Sequence, residues 1–183
     1  MSAGAACRIV LVGMMGSGKS TIGRRLSGAT GWRYVDNDEL VMQTAGMSAR
    51  ALLETRGEGP MREAERSAAI HGLAQDPPVI VGIAGGAITD AGVRQAMAAE
   101  GFVVWLRAAS AILAKRAPGA EHRPWIQKGG SDWIEATAAE RAPLYAEVAD
   151  FVVDTDRRRP SAVARRIMDA VATLEACPPS GPR

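Results

Sequence analysis

The chain has 183 residues, of which 47% are hydrophobic and 23% charged, and this length and composition fit one globular domain with a substantial core. The formal net charge of +2 is too small to indicate a nucleic acid or a membrane as partner, and no apolar run is long enough to span a bilayer. The two cysteines, Cys7 and Cys177, exclude a disulfide framework, and the first residues lack a signal-peptide pattern, so we expect a cytoplasmic protein.

Short apolar segments alternate with helical ones along the chain, which predicts an α/β fold with a doubly wound parallel sheet. We predict strands at residues 8–12, 34–35, 79–83, 102–106 and 151–154. We predict helices at about 19–28 and 160–174, and two helical stretches between about 38 and 73. No repeat or linker interrupts the pattern, so we expect a single domain over 1–183, with disordered tails at 1–6 and 176–183.

One segment lacks the period of a helix or a strand. Residues from about 118 to 132 include Gly119, Pro124, Gly129 and Gly130, and they predict a long surface loop. Loops of that length are uncommon in compact domains unless they serve a function. We therefore expect this segment to take part in the protein's activity.

A glycine-rich turn follows the first predicted strand. The run Gly13-Met-Met-Gly-Ser-Gly-Lys-Ser20 satisfies the pattern G-x-x-x-x-G-K-[ST] in full, and it stands between a strand and a helix as that motif requires. Its glycines let backbone N–H groups face a phosphate, and the helix N-terminus adds its positive end. We expect it to bind ATP through Gly16, Ser17, Gly18, Lys19, Ser20 and Thr21. Lys19 would act on the β- and γ-phosphates as a catalytic group, and the Ser20 hydroxyl would be a ligand of Mg²⁺.

The motif alone leaves kinases, GTPases and ATPase motors open. A GTPase needs a base-specificity motif of the N-K-x-D kind, which the sequence does not contain, and a motor usually needs a longer chain. The sequence therefore favours an ATP-dependent kinase of a small molecule.

Five further motifs follow in chain order. They are Asp36-Asn37-Asp38, Met61-Arg62-Glu63-Ala64-Glu65, Ala84-Gly85-Gly86, Arg123-Pro124 and Arg141-Ala-Pro-Leu-Tyr145. With these motifs the chain resembles the shikimate kinase family from Val10 to about Asp169. The resemblance implies a nucleoside-monophosphate-kinase-like fold with a mobile lid at about 112–128. It also implies transfer of phosphate from ATP to shikimate, a step of aromatic amino acid biosynthesis that yields shikimate 3-phosphate.

The resemblance implies an acceptor site built from three of these motifs. Arg62 and Arg141 would bind the acceptor's carboxylate, for which a guanidinium fork is better suited than an ammonium. Gly85 and Gly86 would give backbone contacts close to the ring. Asp38 would orient the attacking hydroxyl and could accept its proton, which makes it a catalytic residue.

The resemblance also implies contacts with the nucleotide. Asp36 would hold Mg²⁺ through water, and Arg123 in the lid would reach the phosphates as charge moves during transfer. Arg116 and Pro160 would lie on either side of the adenine. A helix-surface arginine and a proline that begins a helix are the structural alternatives for the last two.

Other motif residues also have structural alternatives. Asp36 and Asp38 are of the type favoured in turns and at helix N-caps. Arg62 could form a helical ion pair with Glu65 or Glu58, an interaction worth little on a solvated surface. These alternatives stay open for each residue taken alone.

Four positions depart from the family pattern. Ala84 replaces the first glycine of a G-G-G turn, which is tolerable only with a negative φ. Met61 and Leu53 stand where phenylalanine is common, and Trp125 where a smaller aliphatic residue is usual. We therefore keep two alternatives, a kinase of another small polyol or carboxylated cyclitol such as gluconate, and an ATP-binding regulator or degenerate homologue without kinase activity. For the shikimate kinase interpretation we expect a monomer.

Overall fold

A parallel five-stranded sheet forms the centre of the protein. The computed structural model describes residues 7–116 and 124–174, with side chains from residue 132 onward in the second range. The strands are β1 (Arg8–Val12), β2 (Arg33–Asp36), β3 (Val79–Gly82), β4 (Phe102–Arg107) and β5 (Phe151–Asp154), in the order β2-β3-β1-β4-β5. All four pairings are parallel. Because β1 is central, the turn after it lies in the middle of the carboxyl edge, where open α/β sheets bind ligands.

Helices cover both faces of this sheet. They are α1 (Lys19–Thr30), α2 (Asn37–Ala45), α3 (Ala49–Arg56), α4 (Glu58–Leu73), α5 (Ala91–Glu100), α6 (Ser110–Arg116), α7 (Pro124–Val148) and α8 (Pro160–Ala172), with a short 3₁₀ turn at Ala87–Thr89. Successive strand residues face opposite sides. Ile9 and Leu11 of β1 pack in the core beneath α1 and α8, while Val10 and Val12 pack in the core shared with α2, α4, α5 and α7. The predicted doubly wound α/β fold is therefore confirmed. Within the described ranges, no helix is both long and apolar enough to cross a bilayer.

Three helices, rather than the two predicted stretches, lie between residues 37 and 73. Gly46 ends α2 with φ 69° and Gly57 ends α3 with φ 86°. Positive φ favours glycine and stops a right-handed helix. Ser48 then begins α3 because its hydroxyl accepts a hydrogen bond from the N–H of Ala51 at 3.1 Å.

The predicted surface loop at 118–132 is wrong in its second half, because α7 begins at Pro124. Proline suits the first position of a helix, where its missing N–H is not needed. Glycine costs about 1 kcal/mol inside a helix, so Gly129 and Gly130 suggested a loop. Ile134 and Tyr145, each 1% exposed, bury the inner face of the same helix and offset that cost.

The lid predicted at about 112–128 consequently overlaps the end of α6 and the start of α7. Its central part, 117–123, lies outside the described residues, as do the predicted tails at 1–6 and 176–183.

Candidate active site

The turn after β1 forms a cradle, and several positions in it require glycine. Gly13, Gly16 and Gly18 have φ of 144°, 79° and 101°. A Cβ at Gly13 would lie 2.5 Å from the carbonyl oxygen of Leu106. Lys19 Nζ donates to the carbonyls of Gly13 at 2.8 Å and Met14 at 3.1 Å, so its ammonium lies over the loop. The cradle therefore combines positive charge with the N-terminus of α1.

A cleft of about 840 Å³ brings most of the predicted site residues together at the carboxyl edge of the sheet. Those that line it are Gly16, Gly18, Lys19, Ser20, Thr21, Asp36, Asp38, Arg62, Gly85, Gly86, Arg116 and Arg141. Ser17 does not line the cleft: it is buried beneath the loop, and its N–H bonds to the carbonyl of Met14. Pro160 is also not among the lining residues, and Arg123 lies outside the described part of the chain.

Asp36 connects the cradle to the start of α2. Its Oδ2 accepts hydrogen bonds from the hydroxyls of Ser20 at 2.7 Å and Tyr34 at 2.9 Å, and its Oδ1 accepts the N–H of Asp38 at 3.1 Å. Asp36 is thus an N-cap, as the structural alternative held, and it also faces the cleft.

The oxygens of Ser20 and Asp36 are suited to Mg²⁺, and not to a metal ion whose ligands all come from the protein. The described residues contain no cluster of three His, Cys, Asp or Glu side chains able to hold a metal ion. Mg²⁺ is commonly bound by one or two protein oxygens together with phosphates and water. Ser20 Oγ and Asp36, side by side at the phosphate cradle, fit that requirement.

Tyr34 is a site residue that sequence reasoning missed. Its ring lies between Gly23 of α1 and Gly82 of β3; a Cβ at Gly23 would overlap the ring, and one at Gly82 would lie 2.5 Å from the hydroxyl. Burial, and then the neighbouring charge of Asp36, raise the pKa of Tyr34 above its usual range, so the hydroxyl stays protonated. Tyr34 stands two residues before Asp36 on β2, and residues at that spacing share a face of a strand. That spacing was the available signal.

Arg62 lies on α4 between two glutamates. It donates to Glu58 Oε1 from Nε at 3.3 Å and from Nη2 at 3.2 Å, and to Glu65 Oε2 from Nη1 at 2.8 Å. Burial raises the pKa of the Glu65 carboxyl, an effect that Arg62 opposes. The ion-pair alternative is therefore correct as a description of contacts. The guanidinium nevertheless lines the cleft, so the glutamates hold it there.

The turn after β3 receives the second arginine. Arg141 Nη1 donates to the carbonyl of Gly85 at 3.0 Å, and the Tyr145 hydroxyl donates to the same oxygen at 3.1 Å. Burial raises the pKa of Tyr145 above its usual range, so this phenol also remains a donor. Within the described ranges no residue other than glycine has positive φ, so Ala84 meets the condition set for it.

Arg116 ties α6 to the segment that precedes α8. It donates to the Thr155 hydroxyl at 3.3 Å and to the carbonyls of Thr155 at 2.9 Å and Asp156 at 3.1 Å. Pro160 occupies the first turn of α8 and is exposed. The structure thus brings Arg116 into the cleft, while Pro160 fits its alternative role as a residue that begins a helix.

Leu53, Met61 and Trp133 contribute to the apolar part of the cleft wall. Met61 is 3% exposed and belongs to the core, so its side chain is fixed by packing. The side chain of Trp125 lies outside the described residues.

A glycine-rich phosphate cradle that opens into a cleft lined by arginines and aspartates, on this fold, defines a P-loop kinase of small molecules. Comparison with known proteins identifies the family. The family model for shikimate kinase matches residues 15–172. A shikimate kinase of Paramagnetospirillum magneticum is 39% identical over 166 residues, which are 90% of this chain and 84% of that protein. The chain belongs to the shikimate kinase family.

Solved structures agree with this assignment. Shikimate kinase from Acinetobacter baumannii in complex with shikimate has a TM-score of 0.86 at 27% identity, over 92% of this chain and 94% of that one. A gluconokinase from Sinorhizobium meliloti has a TM-score of 0.53 at 18% identity, over 91% of this chain and 92% of that one, and shares the fold alone.

Proposed function

We propose that this protein transfers the γ-phosphoryl group of ATP to the 3-hydroxyl of shikimate, with Mg²⁺ as cofactor. One observation carries the proposal: two arginines line the same cleft as the phosphate-binding Lys19 and the aspartate Asp38. Shikimate is a carboxylic acid with ring hydroxyls, so it needs cationic forks at one end and a hydrogen-bond acceptor near ATP at the other. Membership of the shikimate kinase family supports the same substrate.

The carboxylate of shikimate is assigned to Arg62 and Arg141. A guanidinium has more N–H donors than Arg62 uses on Glu58 and Glu65. Arg141 uses one N–H of Nη1 on the Gly85 carbonyl, and a guanidinium carries five N–H donors. Both arginines thus retain donors for a carboxylate, and their orientation is set before it binds.

The reacting hydroxyl is assigned to Asp38, with Gly85 and Gly86 beside the ring. Asp38 is exposed at the cleft, two residues after the metal-side Asp36. In the transfer, the hydroxyl oxygen forms a bond to the γ-phosphorus as the bond from that phosphorus to the β–γ bridging oxygen breaks. The hydroxyl proton passes to the Asp38 carboxylate, which orients the nucleophile.

The nucleotide is assigned to the cradle residues from Gly16 to Thr21. Lys19 neutralises charge on the β- and γ-phosphates, and backbone N–H groups of the loop bind the phosphate oxygens. Ser20 and, through water, Asp36 would hold Mg²⁺. When bound, the ion supplies further neutralisation of the phosphate charge.

Three further contacts with the nucleotide are proposed from the family resemblance. Arg123 is assigned to the phosphates, in a lid that spans about 112–128. Arg116 and Pro160 are assigned to the adenine. The position of Arg116 in the lining of the cleft supports its part of this assignment. We also propose that the chain acts as one kinase domain, as a monomer, in the cytoplasm.

An ADP-release assay with purified protein, Mg²⁺ and ATP tests this function. Shikimate should give acceptor-dependent ADP release, whereas gluconate and a reaction without acceptor should not. Lys19→Met is the control for contaminating kinases, and it should lower the signal about a hundredfold or more. Release with gluconate but not shikimate would overturn the acceptor assignment. Nucleotide binding without release for any acceptor would favour a regulator.

A further inference from the structure

The Asp36 carboxylate is restrained from three sides. Ser20 and Tyr34 donate to one oxygen, at 2.7 Å and 2.9 Å, and the N–H of Asp38 donates to the other at 3.1 Å. Asp36 is 9% exposed, so little water is available to replace a lost donor. Ser20 belongs to the phosphate cradle and Asp38 to the acceptor site. The Tyr34 hydroxyl has neither role and so needs a separate explanation.

The position of the Tyr34 ring is built into two neighbouring elements. Gly23 on α1 and Gly82 on β3 flank the ring so closely that a Cβ at Gly23 would overlap it and one at Gly82 would lie 2.5 Å from its hydroxyl. The two glycines thus leave the space in which the ring packs against α1 and β3. From this position, at the cleft, the hydroxyl donates to the Asp36 carboxylate.

We propose that Tyr34 is a positioning residue for the metal-bound nucleotide, because its hydroxyl keeps the Asp36 carboxylate turned toward Ser20. This inference rests on the proposed role of Asp36 at the Mg²⁺ ion. Fixing both torsions of a short carboxylate before the ion arrives lowers the entropy cost of forming the site. Tyr34 should thus affect the affinity gained from Mg²⁺, and leave metal-free nucleotide and shikimate binding unchanged.

Titration calorimetry with ADP gives one dissociation constant in Mg²⁺ and another in EDTA. The constant in EDTA divided by the constant in Mg²⁺ measures the affinity that ADP gains from the ion. Tyr34→Phe keeps the ring in its slot and removes only the donor, so the ratio should fall about fivefold, the factor that one hydrogen bond of ordinary net strength supports. The dissociation constants for ADP in EDTA and for shikimate should not change. The matched control is Tyr145→Phe, the same substitution at the chain's other tyrosine, which should leave the ratio as it is. An unchanged ratio in Tyr34→Phe overturns the proposal.

Asp36→Asn separates this inference from the proposed function. If Asp36→Asn leaves the Mg²⁺ gain intact, the metal role of Asp36 is wrong and the role of Tyr34 falls with it. If Asp36→Asn lowers the gain and Tyr34→Phe does not, only the role of Tyr34 is wrong. The double variant should match Asp36→Asn alone; additive losses would show that Tyr34 acts by another route and would overturn the proposal. Should Asp36→Asn unfold, as its melting curve would reveal, Asp36→Glu takes its place in the same cycle.

Discussion

Gly86 is the position where a single methyl group should test the acceptor site. Its backbone has φ −80° and ψ −29°, a conformation that alanine adopts without strain. A Cβ there would overlap Arg62 Nη1 and lie 2.7 Å from Glu65 Oε2. The Arg62 side chain is 33% exposed, so it has room to move outward. Gly86→Ala should therefore displace the guanidinium from Glu65 and from the cleft while the fold stays intact.

The expected size of the effect follows from the contact that is lost. A hydrogen bond to a charged group contributes about 1.5–3 kcal/mol, and about 1.36 kcal/mol corresponds to a factor of ten. The KM for shikimate should rise about tenfold to a hundredfold in Gly86→Ala. The KM for ATP should change little, because the substituted position borders the acceptor end of the cleft. Steady-state ADP release with each substrate varied in turn measures both constants.

Two further glycine variants give this experiment its controls. Gly28→Ala on α1 has open space around the new Cβ and should leave both constants unchanged. At Gly85 the new Cβ would lie 3.2 Å from the carbonyl of Gly13 in the nucleotide cradle, so Gly85→Ala should also raise the KM for ATP. A KM for shikimate in Gly86→Ala equal to that of the unaltered protein would refute the reasoning, since Arg62 would then not be needed at its observed position.

Three substitutions test the remaining assignments by the same assay. Lys19→Met removes a preorganised charge at the β- and γ-phosphates and should lower kcat about a hundredfold or more, and near-normal turnover in a folded variant would contradict it. Asp38→Asn keeps the shape and loses the negative acceptor, so kcat should fall even at saturating shikimate; a change confined to KM would instead indicate binding alone. Arg62→Lys keeps the charge and loses the planar fork, so the KM for shikimate should rise. An analogue without the carboxylate should be a poor substrate that is almost indifferent to this change.

Local sequence signals predicted the strands and the cradle well. The bounds of β1 and β5 match the prediction, and those of β2, β3 and β4 differ by a residue or two. These strands are short apolar runs that end in glycine or charged residues, so their signals are local. The cradle followed from its pattern and from the strand and helix on either side.

Other features depend on contacts that sequence order does not reveal. The order β2-β3-β1-β4-β5 sets which strand ends meet, and it is fixed by tertiary packing. The start of α7 could not be predicted from residues 118–132, because the burial that stabilises this helix comes from Ile134 onward. Gly85 and Gly86 were expected to give backbone contacts close to the ring, and neither has positive φ. Their importance lies in close approaches to Gly13 and Arg62, which only the folded chain creates.

The turn after β3 joins the two halves of the cleft through backbone atoms. The Gly85 carbonyl accepts hydrogen bonds from Arg141 and Tyr145, and a Cβ on Gly85 would lie 3.2 Å from the Gly13 carbonyl. One backbone unit thus contacts both an acceptor-side arginine and the nucleotide cradle. In-line phosphoryl transfer requires a fixed distance between the attacking oxygen and the γ-phosphorus, and small misplacements reduce its rate strongly. A separation set by backbone atoms is less variable than one set by flexible side chains. On the proposed assignment, Met61 and Leu53 in the apolar wall shape the ring pocket, whereas the strand ends set the reaction distance.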